Sequence, residues 1–203
     1  WILGEERVDA WGFLRVGPTE TSLRDAFFEL VRPPTPNPGE LGSVPAEKPI
    51  EPGRILTRIA DVLKLGREDA GRRWPVRLQG VVTCADSEWH VGFLQDAGGA
   101  IYFDLGSDSE SVRPGDYVEV SGVTSPGGFA PEVRNSAVVV IGRTNLPAAS
   151  RVDLADVAGG YFDAHFVEME GIVRRVEGQS RHVALSLMTS KGRFKVIIAN
   201  YGE

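Results

Sequence analysis

The sequence predicts an all-β protein with short helices, built as tandem five-stranded barrels: one complete barrel in the middle and half of another at each end. Three observations carry this. Val76-Arg77-Leu78-Gln79-Gly80-Val81-Val82 recurs as Val167-Glu168-Met169-Glu170-Gly171-Ile172-Val173. Tyr117-Val118-Glu119-Val120-Ser121-Gly122-Val123 echoes Arg7-Val8-Asp9-Ala10-Trp11-Gly12-Phe13. Between them run short apolar stretches divided by glycine and proline turns, the pattern of short strands. Self-similarity at a fixed period decides architecture before local propensity does. It divides the chain into residues 1–32 (the second half of a module), 33–54 (a linker), 55–145 (a whole module with a leading helix) and 146–203 (a helix and the first half of a third).

Each element follows from its residues. Glu6 to Leu14 reads as a strand. Leu23 to Val31 is ambiguous between strand and short helix by periodicity alone. Its alignment with Val133 to Ile141, a β-branched run, assigns it as strand. Pro33 to Arg54 holds seven of the thirteen prolines. Proline fixes φ and removes a backbone donor, so this stretch reads as an extended connector. Ile55 to Ala70 reads as helical, in two pieces split at Gly66, with Ile59, Val62 and Leu63 on its apolar face. Asp153-Leu154-Ala155-Asp156-Val157 matches Arg58-Ile59-Ala60-Asp61-Val62, so the helix belongs to the repeat.

Five strands follow: Pro75 to Thr83, Trp89 to Gln95, Ala100 to Leu105, Asp116 to Val123 and Glu132 to Ile141. Ala97-Gly98-Gly99 suits a tight hairpin, because glycine accepts φ > 0. Arg113-Pro114-Gly115-Asp116 reads as a turn, and Ser125-Pro126-Gly127-Gly128 opens the last connection. Glycines inside strands one and four, Gly80 and Gly122, supply the bends that barrel corners need. The set fits a small closed barrel of the oligonucleotide/oligosaccharide-binding (OB) type. An open five-stranded meander and half an immunoglobulin sandwich are the alternatives. The last unit repeats strands one to three as Phe166 to Val176, Arg181 to Met188 and Arg193 to Ala199. The two ends therefore carry complementary halves of one barrel. Unpaired strand edges seek partners, so the halves should close within one chain or head-to-tail between chains.

Pro75 to Thr83, Gly92 to Tyr102, Arg113 to Val123 and Gly127-Gly128-Phe129-Ala130-Pro131 together resemble the OB-like repeats of large bacterial sensor ectodomains. The resemblance spans nearly the whole chain, and its motifs are structural. It implies a periplasmic, membrane-anchored parent of the two-component type, with a histidine kinase or diguanylate cyclase domain outside this segment. It carries over no ligand residues.

Composition bounds the function. The net charge is −6, and Trp74 to Gly142 holds three arginines against nine acidic residues. That field repels phosphate backbones and opposes nonspecific nucleic-acid binding. A single cysteine, Cys84, excludes an internal disulfide and a cysteine-rich zinc site. No apolar run reaches the roughly 18 residues of a membrane span, and no signal peptide is evident.

No catalytic constellation is expected. His90, His165 and His182 lack ligand spacing, and Cys84, Asp86, Glu88 and His90 read as a solvated acidic hairpin tip rather than a metal site. The nucleophile elbow, the phosphate-binding loop and the dinucleotide fingerprint are missing. Ser107, Ser109 and Ser111 lie in an acidic loop. No cofactor is expected. OB barrels bind ligands on the face of strands two and three and in the flanking loops. That places Trp89, Tyr102 and Phe129, with Arg134 nearby, as the candidate ligand-binding residues. The alternative is that Trp89 and Tyr102 merely cap the barrel. Trp11 and Phe13 are expected at an interface, being bulkier than Ser121 and Val123. The leading reading is a sensory fragment for a small ligand or a protein partner. A single-stranded nucleic-acid binder and a purely structural spacer are the competing readings.

Overall fold

The computed structural model describes residues 7–16, 20–24, 30–31, 54–106, 111–157, 159–179 and 181–199; before residue 54 it describes backbone pairing. The proline-rich connector (33–53), Ser107 and Ser109, and the side chains of Trp11 and Phe13 lie outside this description.

The central module is a closed barrel. Its strands are β4 (Pro75–Asp86), β5 (Val91–Asp96), β6 (Gly99–Asp104), β7 (Asp116–Ser125) and β8 (Glu132–Arg143), in the closed order β4-β5-β6-β8-β7. The long first strand alternates buried and exposed residues as far as Val82, the period of a strand with one face on a core. It pairs with β7 up to Val81 and with β5 from Val81 onward, and a bulge between Val82 and Cys84 interrupts the second pairing. Val76, Leu78, Val82, Leu94, Ile101, Phe103, Val118, Val120 and Val133 fill the barrel.

The chain ends build a second barrel of the same topology. The strands are β1 (Arg7–Val16), β2 (Glu20–Arg24), β10 (Phe166–Gln179), β11 (His182–Thr189) and β12 (Gly192–Ile198). β10 pairs β11, β11 pairs β12, β12 pairs β2 in parallel, β2 pairs β1, and β1 returns to β10. The half-modules thus close within one chain. The register matches residue for residue: Pro75 stands opposite Val123 and Phe166 opposite Phe13, and Val81 opposite Tyr117 as Ile172 opposite Arg7. The bulge recurs between Val173 and Arg175. Val152, Leu154, Val157, Val167, Met169, Leu187, Phe194 and Val196 form this core.

Short helices cap each barrel. α1 (Ile59–Leu63) and α2 (Arg67–Ala70) precede β4, and α3 (Leu154–Val157) precedes β10. The helix is shorter than Ile55 to Ala70. Leu56 is extended and bridges Val76, exchanging backbone hydrogen bonds with Pro75 and Arg77. β9 (Ser150–Arg151) lies parallel to β10 in the corresponding place. The hairpin glycines Gly99 and Gly192 have φ of 147° and 148°, where a side chain would be strained. A Cβ there would press on Leu63 in the first barrel and Leu154 in the second, so both hairpins rest on their helices.

Two further expectations are corrected. Leu23 to Val31 is not one strand: β2 ends at Arg24, and β3 (Leu30–Val31) pairs back antiparallel onto Glu20 and Thr21. Its counterpart stays paired to β7 as far as Arg143 and holds the β-branched run Val138-Val139-Val140-Ile141 where this segment has Phe28-Glu29-Leu30-Val31; residues 25–29 lie outside the described residues. Trp89 is not in a strand either. It sits in the turn before β5, where Asp86 Oδ1 accepts the backbone N–H groups of Glu88 and Trp89 at 3.0 and 3.1 Å, a side-chain turn that delays the strand to Val91.

Candidate functional site: the outer faces of the two barrels

The sheet of strands one to three in each module has an outer face. In the first barrel Cys84, Val91, Phe93, Ala100 and Tyr102 lie on it, because their neighbours Val82, Leu94, Ile101 and Phe103 point inward. This face is apolar and it is covered. Ala164, Trp89 and Phe166 pack over it. Phe166 N–H donates to the side-chain oxygen of Gln95 at 3.1 Å. A crevice of about 10 Å³ lies beside Phe93, Tyr102, Phe129 and Asp163.

The sequence-predicted residues fall along this seam. Tyr102 meets Phe93 edge-on at 6.0 Å, and the Arg134 guanidinium lies over its ring at 5.1 Å. Arg134 is in turn paired with the buried Glu132 at 2.7 Å. Phe129 is 45% exposed, and Gly160 from the segment leading to the second barrel sits against its ring, where a Cβ would come within 2.2 Å. Tyr102, Phe129 and Arg134 are therefore neighbours, but their face is spent on joining the barrels.

Trp89 stands at the other end, stacked on His182 of the second barrel with ring centroids 3.9 Å apart. His182 Nε2–H donates to Asp86 Oδ2 at 2.9 Å, and Glu88 approaches His182 Nδ1 at 3.6 Å. Asp86 is fully buried and His182 2% exposed. A buried carboxylate is costly unless its oxygens are satisfied. Here both are, by two backbone N–H groups and the imidazole. This latch was invisible in the sequence, since Asp86 and His182 belong to different modules. The acidic hairpin tip comes apart accordingly: Cys84 goes into the seam, Asp86 to His182, and His90 to the surface. Among the described residues no group of three or more His, Cys, Asp or Glu could hold a metal.

The second barrel presents the same face with different chemistry. Its register places Arg175 where the first barrel has Cys84, Ser186 for Phe93, Met188 for Gln95, Arg193 for Ala100 and Lys195 for Tyr102. Arg174, Arg175, Ser186, Met188, Arg193 and Lys195 line a groove of about 590 Å³ floored by Leu187 and Phe194. A second groove of about 590 Å³ adjoins it at Met188. There Arg151 pairs with Glu170 at 3.0 Å and Lys191 with Asp153. The Lys191 ammonium is the main cause that holds the Asp153 carboxyl below its ordinary range, and Asp153 holds the ammonium above its own. Arg193 and Lys195 stand at alternate positions of strand three, and Arg175 is on strand one, so extending the repeat alignment strand by strand was the signal that would have found this face.

No protein-family model matches the chain, and no curated protein matches it. Among solved structures, that of the hypothetical protein ygiW from E. coli matches at 21% identity, covering 41% of this chain and 89% of that one, with a TM-score of 0.33. A likeness this slight carries no functional inference.

Proposed function

We propose that the chain is a non-catalytic recognition module of an extracytoplasmic signalling receptor. The first barrel's outer face is spent on the seam. The second barrel's face receives a ligand or a protein partner. One observation carries this reading: beside Phe93 and Tyr102 the first barrel has a crevice of about 10 Å³, whereas their counterparts Ser186 and Lys195 line a groove of about 590 Å³ in the second. The groove is within the usual range of binding sites, roughly 300–1,000 Å³. The receptor context rests on the resemblance of the repeats to sensor ectodomains, whose parents place an output domain beyond a membrane helix. The seam of Asp86, Trp89 and His182 is then the transmitting element. A bound ligand shifts the packing of the barrels only by as much as it favours one arrangement.

Spin labels at Val139 and Val176, which are 58% and 52% exposed, test this. The distance between them should shift or narrow when ligand binds the second barrel. A single unchanged distance distribution with every ligand that binds would refute transmission and leave a spacer.

A further inference from the structure

We propose that the outer face of the second barrel binds a linear polyanion, read by its repeating oxyanions and not by bases. This rests on that face being the recognition surface, and it names the ligand.

The first argument is positional. The two faces share one register, so each residue of the covered face is a control for its counterpart. Cys84, Ala100 and Tyr102 become Arg175, Arg193 and Lys195, and Phe93 becomes Ser186. Substitution of three apolar or aromatic side chains by cations removes the surface that could dock another leading segment such as Ala164 to Phe166. It builds an electropositive groove instead.

The second argument is geometric. Arg175 stands opposite Ser186, and Ser186 opposite Lys195. Strands are spaced by about 4.8 Å, so this row sets two cations about 10 Å apart with a hydroxyl between them. Arg193 lies in the next row, opposite Met188. Such a grid follows a chain of charges better than one isolated anion. Arginine forks bind phosphate or carboxylate in a bidentate manner. Glu177 pairs with Arg175 at 2.8 Å at the rim of the groove, and an incoming oxyanion would compete with it there.

The third argument is local charge. The chain as a whole is acidic, yet residues 166–199 carry six cations (Arg174, Arg175, Arg181, Lys191, Arg193, Lys195) against three acids (Glu168, Glu170, Glu177). Single-stranded nucleic acid is held by stacking on exposed aromatic rings. Here Lys195 takes the place of Tyr102. The counterpart of Trp89 is His182, sealed in the seam. The face keeps the charges of a nucleic-acid site without its stacking platform. Inorganic polyphosphate and uronate polymers are the two sources of this chemistry.

The test is titration of the whole chain, at low and at 200 mM salt, with four probes: inorganic polyphosphate, an alginate oligomer, oligothymidylate and neutral cellohexaose. Polyphosphate or alginate should bind more tightly than the other two, with affinity falling steeply as salt rises; which of them binds identifies the source. Arg193→Glu with Lys195→Glu should weaken that binding by about tenfold or more, with thermal melting of the protein unchanged. If the double variant does not fold, Arg193→Gln at its exposed position should still lower affinity and flatten the salt dependence. Tighter binding of oligothymidylate, or no binding of either polyanion, overturns the proposal. Binding of cellohexaose alone, lost in the same variant, overturns the ligand class but leaves the face as a recognition surface. Polyanion binding that ignores both variants overturns the face itself.

Discussion

In the first barrel Gly92 stands opposite Phe103; in the second, Leu185 stands opposite Val196. The positions correspond, both pairs face a core, and bulk has moved from one strand to its neighbour. The outer faces of the same strands have diverged without any such compensation, from apolar and covered to cationic and grooved. Interiors are packed to crystal-like density, so a change in one side chain must be answered next to it. A solvated face is under no such constraint and is free to take up a function. The barrels differ also in closure. The first joins β6 to β8 through the single pair Phe103–Val133, helped by Asp104, whose carboxylate accepts the N–H groups of Asn135 and Ser136 at 2.9 Å each. Among the described residues the second has two pairs, Val196–Leu23 and Ile197–Arg24, with Ile197 in the place of Asp104.

The harshest way to break the comparison is to remove residues 1–31. The second barrel then loses β1, β2 and β3 while the first keeps every strand. Amide spectra should show the first barrel intact and the second collapsed, and a synthetic 1–31 peptide added back should restore the missing resonances. Collapse of both barrels would mean that they fold only as one unit.

Exchange of the core pairs sharpens it. A Cβ on Gly92 would lie 2.3 Å from the Phe103 ring. Gly92→Leu alone should cost about 3 kcal/mol by overpacking, and Phe103→Val alone about as much by leaving a cavity. The double variant reproduces the Leu–Val pair of the second barrel and should recover most of the loss in denaturant melts. Additive costs would show that the volumes are not interchangeable.

The latch comes next. Asp86→Ala or His182→Ala removes one partner of a buried pair, at a cost of about 3 kcal/mol. A double-mutant cycle should return a coupling of about 1–2 kcal/mol, and the two melting transitions should separate as the barrels uncouple. A coupling near zero would detach the latch from the seam.

The smallest effect is expected at Asp104. Burial works against its charge, but hydrogen bonds from Ser136 and Asn135 and the nearby Arg134 outweigh it and hold the carboxyl below the ordinary aspartate value. A carboxyl depressed in the folded state contributes stability above its unfolded pKa and loses that contribution as pH falls through the folded one. Asp104→Asn should therefore cost about 1 kcal/mol near neutrality and flatten the acid limb of the stability curve. An unchanged limb would assign the clasp no role.

Much of the fold was legible because a repeat carries its own key. The match of Val76 to Val82 with Val167 to Val173 implied that the two ends carry complementary strands of one barrel, and it fixed which residues correspond, since a slip of one residue would turn every core side chain outward. Leu23 to Val31 was misread because it was judged by its counterpart, although Phe28-Glu29-Leu30-Val31 holds a single β-branched residue where the counterpart has Val138-Val139-Val140-Ile141. The candidate site was legible only in part. Tyr102, Phe129 and Arg134 do come together, yet nothing local says that Ala164 and Phe166 join the cluster at Tyr102 or that Gly160 sits against Phe129. His182 looked like a stray histidine because its partners, Asp86 and Trp89, stand in another module.

The sequence by itself determined the barrel modules, the span of most strands and the complementarity of the two end halves, because alternation and turn chemistry are local and the repeat states them twice. Only the tertiary structure decided that the severed halves close within one chain, that the first barrel's face is used up by the seam, and that the second barrel's cations converge on one groove. Those are relations between residues from different strands and modules. They are settled by which surfaces meet, and no pattern within a single strand encodes that.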